Sequence, residues 1–179
     1  MQLFTIGHSN HSAEKLIHLL DDHDIDLLVD VRSMPYSRFN PQFNKKALQQ
    51  LLRSHGIQYL YAGDALGGRP RDLTCYKHQI IPRHSAEFMA EVSYTVVMKR
   101  PWFLEGIKQL LELVAIQTTC IMCSEKDPAM CHRHHLIAKY LMSRHLEVTI
   151  MHILPDGCVA EASSILANCS QADQQQPGF

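Results

Sequence analysis

The sequence has no apolar run that approaches the ~20 residues needed to cross a bilayer. It has no positively charged start followed by a long apolar stretch, which is the pattern of a signal peptide. It also lacks an excess of one charge, because 17 lysines and arginines stand against 18 aspartates and glutamates and the formal net charge is −1. Such a chain has no overall field that draws it to nucleic acid or to an anionic membrane. We therefore expect a cytoplasmic protein without a membrane partner, in which any basic site is local.

Several common enzyme signatures are also missing. The chain contains neither the phosphate loop of nucleoside triphosphatases nor the dinucleotide fingerprint of Rossmann dehydrogenases. Cys123 has no arginine at the sixth position after it, so the nucleophile loop of cysteine phosphatases is absent. The 6 cysteines lack the dense spacing of a secreted disulfide scaffold, and we expect them to be thiols in a reducing compartment.

What the sequence does contain is an ordinary globular composition, with 46% hydrophobic and 20% charged residues among 179. A chain of this length buries a substantial core in one domain. We predict a single α/β domain over residues 1–157. After Gly157 the chain turns small and polar, so we predict that residues 158–179 form a C-terminal extension with a partly disordered tail.

Five runs rich in β-branched and apolar residues alternate with helical patterns. The runs are residues 3–6, 26–31, 58–61, 118–123 and 147–153. This alternation is typical of βαβ units, and continuous apolar runs indicate strands buried on both faces. The sequence therefore predicts a three-layer α/β domain, in which a mostly parallel sheet of about five strands is flanked by helices.

Capping residues mark the predicted helices. Ser12 is expected to cap the first helix and Asn44 the second, which Gly56 ends in a left-handed conformation. Two more helical patterns follow Ser85 and Pro101, and they are compatible with one helix broken at Pro101.

Polar and reactive residues follow nearly every predicted strand, where the ligand crevice of an open parallel sheet lies. Cys123 and Glu125 end the fourth strand, and Asp127 is expected to cap the helix that follows. The apolar residues of this helix form a stripe that is expected to pack on the sheet. His132 and Arg133 lie one turn before that stripe on the same face, so their side chains should also point toward the sheet. We therefore predict that Cys123, Glu125, His132 and Arg133 share one small volume.

Three kinds of chemistry fit this group. Cys123 is a candidate nucleophile; Cys123, Cys131 and His132 are candidate metal ligands; and Arg133 with the helix N-terminus suits an anion, with the thiols as passive packing. Cys120 and Cys123 face opposite sides of a strand, which favours a core position for Cys120 rather than a shared metal.

The remaining residues of the cluster have simpler interpretations. Cys131 fits a small apolar filler as well as it fits a ligand. His134 and His135 are expected to point largely to solvent.

A second basic group follows the second predicted strand. Asp30 and Arg32 stand two residues apart and project the same way, so they can form an internal ion pair. Arg38 adds charge to the next loop, whose neighbouring residues are aromatic or basic: Tyr36, Phe39, Phe43, Lys45 and Lys46. Basic residues among aromatics suit a phosphate-bearing or base-stacking ligand.

The segment 63–83 lacks clear periodicity, and we predict a long functional or lid-like loop there. Gly67 and Gly68 precede Arg69 in this segment, and such a flexible turn with a cation can form a nest of backbone amides for an anion. His8 and Ser9 follow the first predicted strand at the same end of the sheet.

The ordered set of motifs resembles one known family. The motifs are Ile6-Gly7-His8-Ser9, Asp30-Val31-Arg32 with Pro35 and Ser37, Gln42-Phe43-Asn44, Leu66-Gly67-Gly68, Cys123-Ser124-Glu125, Cys131-His132-Arg133 and His152. Together they resemble the bacterial and archaeal family catalogued as domain of unknown function 488, over roughly residues 3–157. The resemblance implies an α/β fold but no particular reaction. It gives weight to one shared site formed by Asp30, Arg32, Cys123, Glu125, Cys131, His132 and Arg133.

The leading hypothesis from the sequence is an enzyme, or degenerate enzyme, that binds a phosphate-bearing ligand such as a nucleotide or nucleic acid at the strand ends. Its candidate catalytic residues are Cys123, Glu125 and His132. Its candidate ligand-binding residues are His8, Ser9, Asp30, Arg32, Arg38, Gly67, Gly68 and Arg133. Two alternatives stay open: a metal or thiol-redox site formed by Cys123, Cys131 and His132, and a non-catalytic interaction module. The sequence leaves the cofactor, the substrate and the oligomeric state unknown.

Overall fold

One sheet of six strands organises the fold. The computed structural model describes residues 1–84 and 87–165. The strands are β1 (Gln2–Gly7), β2 (Leu27–Asp30), β3 (Gln58–Tyr61), β4 (Thr119–Cys123), β5 (Thr149–Ile153) and β6 (Val159–Glu161). They lie in the order β3-β2-β4-β1-β5-β6, and only β6 is antiparallel to its neighbour. The predicted α/β fold with a mostly parallel sheet is confirmed, with one strand more than expected.

Helices cover both faces of this sheet. They are α1 (Ala13–Asp21), α2 (Lys45–Ser54), α3 (Gly63–Leu66), α4 (Phe88–Glu91), α5 (Tyr94–Val97), α6 (Pro101–Val114) and α7 (Lys139–Arg144). Apolar residues of α1 and α2 pack into one core, and those of α6 and α7 pack into the core on the opposite face. The neighbouring strands β2 and β4 are buried over their whole length, as strands between two helical layers must be.

Local capping explains the first two helices. Ser12 Oγ accepts the backbone N–H of Lys15 at 3.2 Å and caps α1, as predicted. Asn44 is the N-cap residue of α2, but its side chain accepts the backbone N–H of Ser37 at 2.7 Å instead of a helical one. Gly56 has a φ of 77° and ends α2 in the predicted left-handed conformation.

The region before β4 contains separate helices rather than one broken helix. The short α4 and α5 precede α6, which begins at Pro101, where the missing N–H leaves no helical hydrogen bond unmade. Ser85, after which the first of these helices was expected, lies outside the described residues. The predicted 63–83 loop opens with α3 and contains a 3₁₀ turn at Leu73–Cys75.

The segment after β4 is not the single helix that the sequence predicts. Asp127 Oδ1 accepts the N–H of Ala129 at 2.8 Å, but the turn that it caps is a 3₁₀ turn that ends at Met130. Cys131 is extended, with φ −139° and ψ 145°, and interrupts the helix. A π-helical stretch then covers Arg133–Ala138 and continues into α7.

The π-helical stretch explains why the prediction for His134 is wrong. A π-helix has more residues per turn than an α-helix, so more consecutive side chains face the core. His134 is therefore buried rather than directed to solvent. His135 is half-buried, and its Nε2 donates a hydrogen bond to the carbonyl oxygen of Ala129 at 2.6 Å.

The C-terminal segment contributes to the sheet. β6 lies within residues 158–179, the predicted extension, and pairs with β5. Residues 166–179, which include the predicted disordered tail, lie outside the described residues. Within the described parts of the chain, no helix is long and apolar enough to cross a membrane.

Candidate functional site

The carboxyl ends of β2, β4 and β1 lie side by side because β4 is the strand between the other two. The turns that follow these strands are hydrogen-bonded to each other, as the His8 N–H donates to the Cys123 carbonyl oxygen at 3.0 Å. Gly7 permits the close packing, since a Cβ there would lie 1.8 Å from the carbonyl oxygen of Glu125. The residues after three different strands therefore share one site.

Two thiols meet in this site. Sγ of Cys123 and Sγ of Cys131 are 2.9 Å apart, and both side chains are buried. The Cys131 thiol also donates to the Glu125 carboxylate at 3.2 Å. Burial raises the pKa of Cys131 well above its usual value, and the neighbouring Cys123 and Glu125 raise it further. Cys131 therefore holds its proton in the resting site.

The ring of His132 faces the Cys131 sulfur in a fixed protonation state. Its Nε2 lies 3.1 Å from the carbonyl oxygen of Val31, which only accepts, so the proton is on Nε2. The unprotonated Nδ1 lies 3.6 Å from Cys131 Sγ. Burial lowers the pKa of His132, which keeps the ring neutral. Gly68 packs on this ring, because a Cβ there would lie 2.7 Å from Cβ and Cγ of His132.

Glu125 stands at the mouth of the site. Loss of hydration raises the pKa of its carboxyl, but His132, the Cys131 thiol and its own backbone N–H outweigh that effect. The pKa of Glu125 is therefore below its usual value, and the side chain is a carboxylate at neutral pH.

Arg133 is buried behind the thiols. Its Nη1 donates to Cys123 Sγ at 2.7 Å and to the Glu125 carbonyl oxygen at 2.6 Å, and its Nη2 donates to the Lys126 carbonyl oxygen at 3.0 Å. Burial by itself lowers the pKa of Arg133, but the adjacent Cys123 and Cys131 outweigh burial, and the pKa is raised overall. Among the described residues no carboxylate forms an ion pair with Arg133. The guanidinium is therefore held by one sulfur and two backbone carbonyl oxygens.

Asp30 and Arg32 form the buried ion pair that their spacing predicts, with 2.6 Å between Oδ2 and Nη2. Tyr59 donates its hydroxyl to the same carboxylate at 2.9 Å. Nη1 of Arg32 donates to Nε2 of His8 at 3.2 Å, while Nδ1 of His8 donates to the Ser9 carbonyl oxygen at 2.9 Å. Burial and the charge of Arg32 lower the pKa of His8 to about 4.

A cavity of about 280 Å³ opens above these groups, and we term it the strand-end cavity. Glu125, Cys131 and His132 belong to its lining, whereas Cys123, whose sulfur is 2.9 Å from that of Cys131, does not. The other lining residues are Arg32, Ser33, Met34, Tyr36, Gly68, Arg69, Phe88, Met89, Tyr94, Ser124 and Met130. The lining of the cavity thus contains a cysteine, a neutral histidine and a carboxylate together with arginines and aromatic rings.

Arg69 is the lining cation with donors to spare. Its guanidinium lies over the Phe88 ring, 4.5 Å from the centroid, and within the described ranges it makes no ion pair. The Arg69 backbone N–H is bound to Ser33 Oγ at 2.9 Å, which fixes the turn. Tyr94 lines the same cavity, and burial, together with Cys131 and Glu125, raises its pKa, so its hydroxyl stays a donor.

A second buried polar group lies beside the thiol site. Nδ1 of His134 is 3.1 Å from Nε2 of His152, whose Nδ1 is 2.7 Å from Thr5 Oγ1. Burial is the main cause that lowers the pKa of His134 to about 4 and that of His152 to about 3. Both rings are neutral at pH 7 and lie outside the wall of the strand-end cavity.

The structure brings four of the predicted residues into one volume, as the helix-face argument required. These are Cys123, Glu125, His132 and Arg133. Cys131, for which a filler role was equally open, joins them as a residue of the cavity lining. Cys120 packs in the core on the opposite face of the sheet.

The other predicted ligand-binding residues are more scattered. Gly67 packs against Ser33, where a Cβ would lie 2.4 Å from Oγ. Ser9 has a φ of 47° and donates its N–H to the Ser124 carbonyl oxygen at 3.0 Å, beside the site rather than in the cavity wall. Arg38 is exposed and does not line the cavity.

Sequence reasoning did not single out Phe88 or Tyr94. Both lie on four-residue helices without a motif, so no local signal marks them. Arg69 carries a weak signal, as the cation after a double glycine.

The model of the family described as "Domain of unknown function DUF488" matches residues 12–141. The chain belongs to this family. The match begins at the cap of α1, includes both thiols and ends within α7, so the DUF488 segment contains most of the site. No curated protein and no solved structure matches the chain.

Proposed function

We propose that this DUF488 protein is an enzyme that binds a small anionic ligand in the strand-end cavity and attacks it with the Cys131 thiol. The observation that carries the proposal is that Cys131 belongs to the cavity lining and that its sulfur lies 3.6 Å from the unprotonated Nδ1 of His132. A thiol beside a base that accepts its proton is the arrangement of nucleophilic catalysis by cysteine. The nucleophile is then Cys131, which faces the ligand, rather than Cys123.

The neighbouring side chains supply the remaining roles. His132 accepts the Cys131 proton at Nδ1 and returns it to a leaving group. Glu125, whose carboxylate touches the Cys131 thiol at 3.2 Å, favours the charged form of His132 once the ring is protonated. Arg133 is a positioning residue, since its Nη1 holds the Cys123 sulfur at 2.7 Å.

The anionic character of the ligand follows from the lining of the strand-end cavity. The Arg69 guanidinium lies over Phe88 and keeps its donors for a phosphate or carboxylate. The backbone turn at Gly68 brings Arg69 next to His132, so an anion bound there lies close to the reacting thiol. Phosphate-bearing ligands such as nucleotides fit these features, because Tyr36 adds an exposed ring for stacking at the mouth.

The test is protection of Cys131 from a small electrophile. The rate at which iodoacetamide modifies Cys131 is measured by peptide mass spectrometry, with and without inorganic phosphate, a nucleoside monophosphate or a dicarboxylate. We expect an anion to slow the modification of Cys131 several-fold and to leave the exposed Cys158 unaffected. Arg69→Gln should remove the protection, whereas Arg71→Gln, a change at an exposed arginine, should preserve it.

Each outcome of this test is informative. Failure of every anion to protect Cys131 would contradict the anionic ligand. Absence of modification at Cys131 would contradict its role as nucleophile. If Arg69→Gln only lowers stability and leaves protection intact, the cluster is better explained as the buried polar network of an interaction module.

A metal site is the second candidate. One donor atom each from Cys123, Glu125 and Cys131 lies within 4.8 Å of the others, and Nδ1 of His132 is available as a fourth. Sulfurs bound to one tetrahedral zinc stand about 3.8 Å apart for Zn–S bonds of ~2.3 Å. The separation of 2.9 Å between Cys123 and Cys131, together with the Arg133 cation on one sulfur, fits a free thiol pair better.

Elemental analysis separates the two candidates. The protein is purified anaerobically, without chelator or affinity histidines, and compared with Cys131→Ser. Near-stoichiometric zinc or iron that is lost in the variant would favour the metal site. Absence of metal leaves the thiols free for covalent chemistry.

A further inference from the structure

The two cysteines of the Cys123–Cys131 pair differ in their access to the strand-end cavity. Cys131 is among the residues that line the cavity, whereas Cys123 is fully buried and is not among them. The two sulfurs are nevertheless only 2.9 Å apart. A group transferred from the cavity onto the Cys131 sulfur would therefore lie within reach of the Cys123 sulfur.

We propose that Cys123 is the resolving thiol in the reduction of a small anionic disulfide bound in the strand-end cavity. This inference rests on the proposed function, because it requires Cys131 as the nucleophile. Phosphoryl or acyl transfer uses one sulfur, whereas thiol–disulfide exchange uses a second thiol within bonding reach of the first.

The reaction has two steps. The Cys131 thiolate attacks one sulfur of the substrate S–S bond, a mixed disulfide forms on Cys131, and the first substrate thiolate leaves into the cavity. The Cys123 sulfur then attacks Cys131 Sγ, a Cys123–Cys131 disulfide forms, and the second substrate thiolate leaves. The substrate gains two electrons and takes up the two protons that the protein thiols give up. A dithiol reductant restores the protein for another cycle.

The geometry suits the second step. Displacement at a sulfur requires an incoming sulfur close to the atom that it attacks, and Cys123 is the buried neighbour of the Cys131 sulfur. Closure to a disulfide bond of ~2.05 Å requires an approach of about 0.9 Å from the present 2.9 Å. The Cys131 backbone is held on both sides, because its N–H donates to the Pro128 carbonyl oxygen and its own carbonyl oxygen accepts the N–H of His134, so rotation of the two side chains must supply most of this approach.

Charge supports the assignment of the two thiols. The Arg133 guanidinium, which is without a carboxylate partner in the described parts of the chain, donates to the Cys123 sulfur at 2.7 Å. A cation in this position stabilises the negative sulfur that performs the second attack. His132 serves the first step, because its Nδ1 takes the proton of Cys131 and delivers it to the first leaving thiolate.

The experiment uses glutathione disulfide, a carboxylate-bearing disulfide, and the full chain with Cys158→Ser and Cys169→Ser as background. The reduced protein is incubated anaerobically with the probe, and released glutathione, intact mass and disulfide-linked peptides are measured. We expect two glutathione molecules released per chain, a protein lighter by two hydrogens, and a peptide that joins Cys123 to Cys131.

Two further variants separate the steps. Cys123→Ser should release one glutathione and retain the other on Cys131, whereas Cys131→Ser should neither release nor retain it. Arg69→Gln should slow the first release several-fold if the carboxylates of the probe bind at that cation. A bis-ethyl ester of the probe, without those carboxylates, should react more slowly with the background protein and lose the dependence on Arg69.

Failure of this inference is distinguishable from failure of the proposed function. If iodoacetamide modifies Cys131 but glutathione disulfide produces neither the adduct in Cys123→Ser nor the linked peptide, the resolving role is overturned and the nucleophile stands. If Cys131 reacts with neither reagent, both are overturned. Because the intact-mass result is obtained without a change at either site thiol, misfolding of a variant does not obscure it.

Discussion

Nδ1 of His132 faces the sulfur of Cys131 at 3.6 Å. The other ring nitrogen, Nε2, donates to the Val31 carbonyl oxygen, and this hydrogen bond fixes the orientation of the ring. Val31 directly follows β2, and Cys131 lies in the segment that follows β4. Cys131 and His132 are consecutive residues, and the sheet sets the orientation of the ring because β2, which Val31 follows, is the neighbour of β4.

Replacement of the base should slow the reaction of Cys131. In His132→Asn the Val31 carbonyl oxygen keeps a donor, but no unprotonated ring nitrogen faces the thiol. We expect the iodoacetamide modification of Cys131 at pH 7 to slow by tenfold or more, in line with the ~10²-fold or greater effects of general bases. His135→Asn, at a ring bonded to Ala129 outside the cavity wall, is the matched control. Equal rates in His132→Asn and the parent protein would contradict the role of the base.

The contact between Gly68 and His132 should be sensitive to one methyl group. In Gly68→Ala the new Cβ would lie 2.7 Å from Cβ and Cγ and 3.0 Å from Nδ1 of His132, so the ring must move. We expect slower modification of Cys131 with little change in far-UV circular dichroism. Gly56→Ala is the control, because it strains a φ of 77° and costs about 1 kcal/mol of stability but has no atom near the site. The prediction is wrong if both variants leave Cys131 equally reactive.

The buried ion pair beneath the cavity should be important for stability. In Asp30→Asn the guanidinium of Arg32 and the hydroxyl of Tyr59 lose a charged acceptor. We expect the free energy of unfolding to fall by roughly 3 kcal/mol, as when one partner of a buried pair is removed. Asp64→Asn breaks an ion pair with Arg71 whose side chains are 72% and 95% exposed, and it should change stability by less than ~1 kcal/mol. The free energy of unfolding of both variants is measured by urea denaturation. A similar loss of stability in the two variants would refute the prediction.

The buried histidines predict loss of stability at mildly acidic pH. The pKa values of His8, His134 and His152 fall from 6.5 to about 4, about 4 and about 3. Between pH 6.5 and those values the unfolded chain binds protons that the folded chain does not, so stability decreases as the pH falls.

We expect the free energy of unfolding to be lower at pH 5 than at pH 7, by about 2 kcal/mol for one such ring. His152→Gln should flatten this dependence, and His55→Gln, at an exposed position after α2, should preserve it. The carboxyl groups with lowered pKa values act only below pH 4.5, so they do not account for a change in this range. Equal stability at the two pH values would contradict the assignment.

The fold could be predicted from the sequence because its signals are local and repeated. The alternation of buried runs with capped helices specifies βαβ units, and Ser12 and Gly56 behave as their types suggest. The antiparallel β6 has three residues and lies after a glycine turn, so periodicity gives it little signal.

The site could be predicted in part. The apolar stripe of the helix after β4 correctly turns His132 and Arg133 toward the sheet. The same argument fails for His134, because it assumes an α-helical period where the chain forms a π-helical stretch. The close approach of Cys131 to Cys123 depends on an extended residue inside the predicted helix, and no propensity of cysteine signals that break.

The measurement that tests the central claim most directly is the order in which limiting iodoacetamide modifies the cysteines of the folded, reduced protein. The chain provides its own references, because Cys158 is exposed and Cys120 is fully buried in the core on the opposite face of the sheet. The account predicts that Cys131, although only 1% exposed, reacts far faster than Cys120 and that added anion slows it selectively. A Cys131 that stays as unreactive as Cys120, with or without anion, would contradict the account.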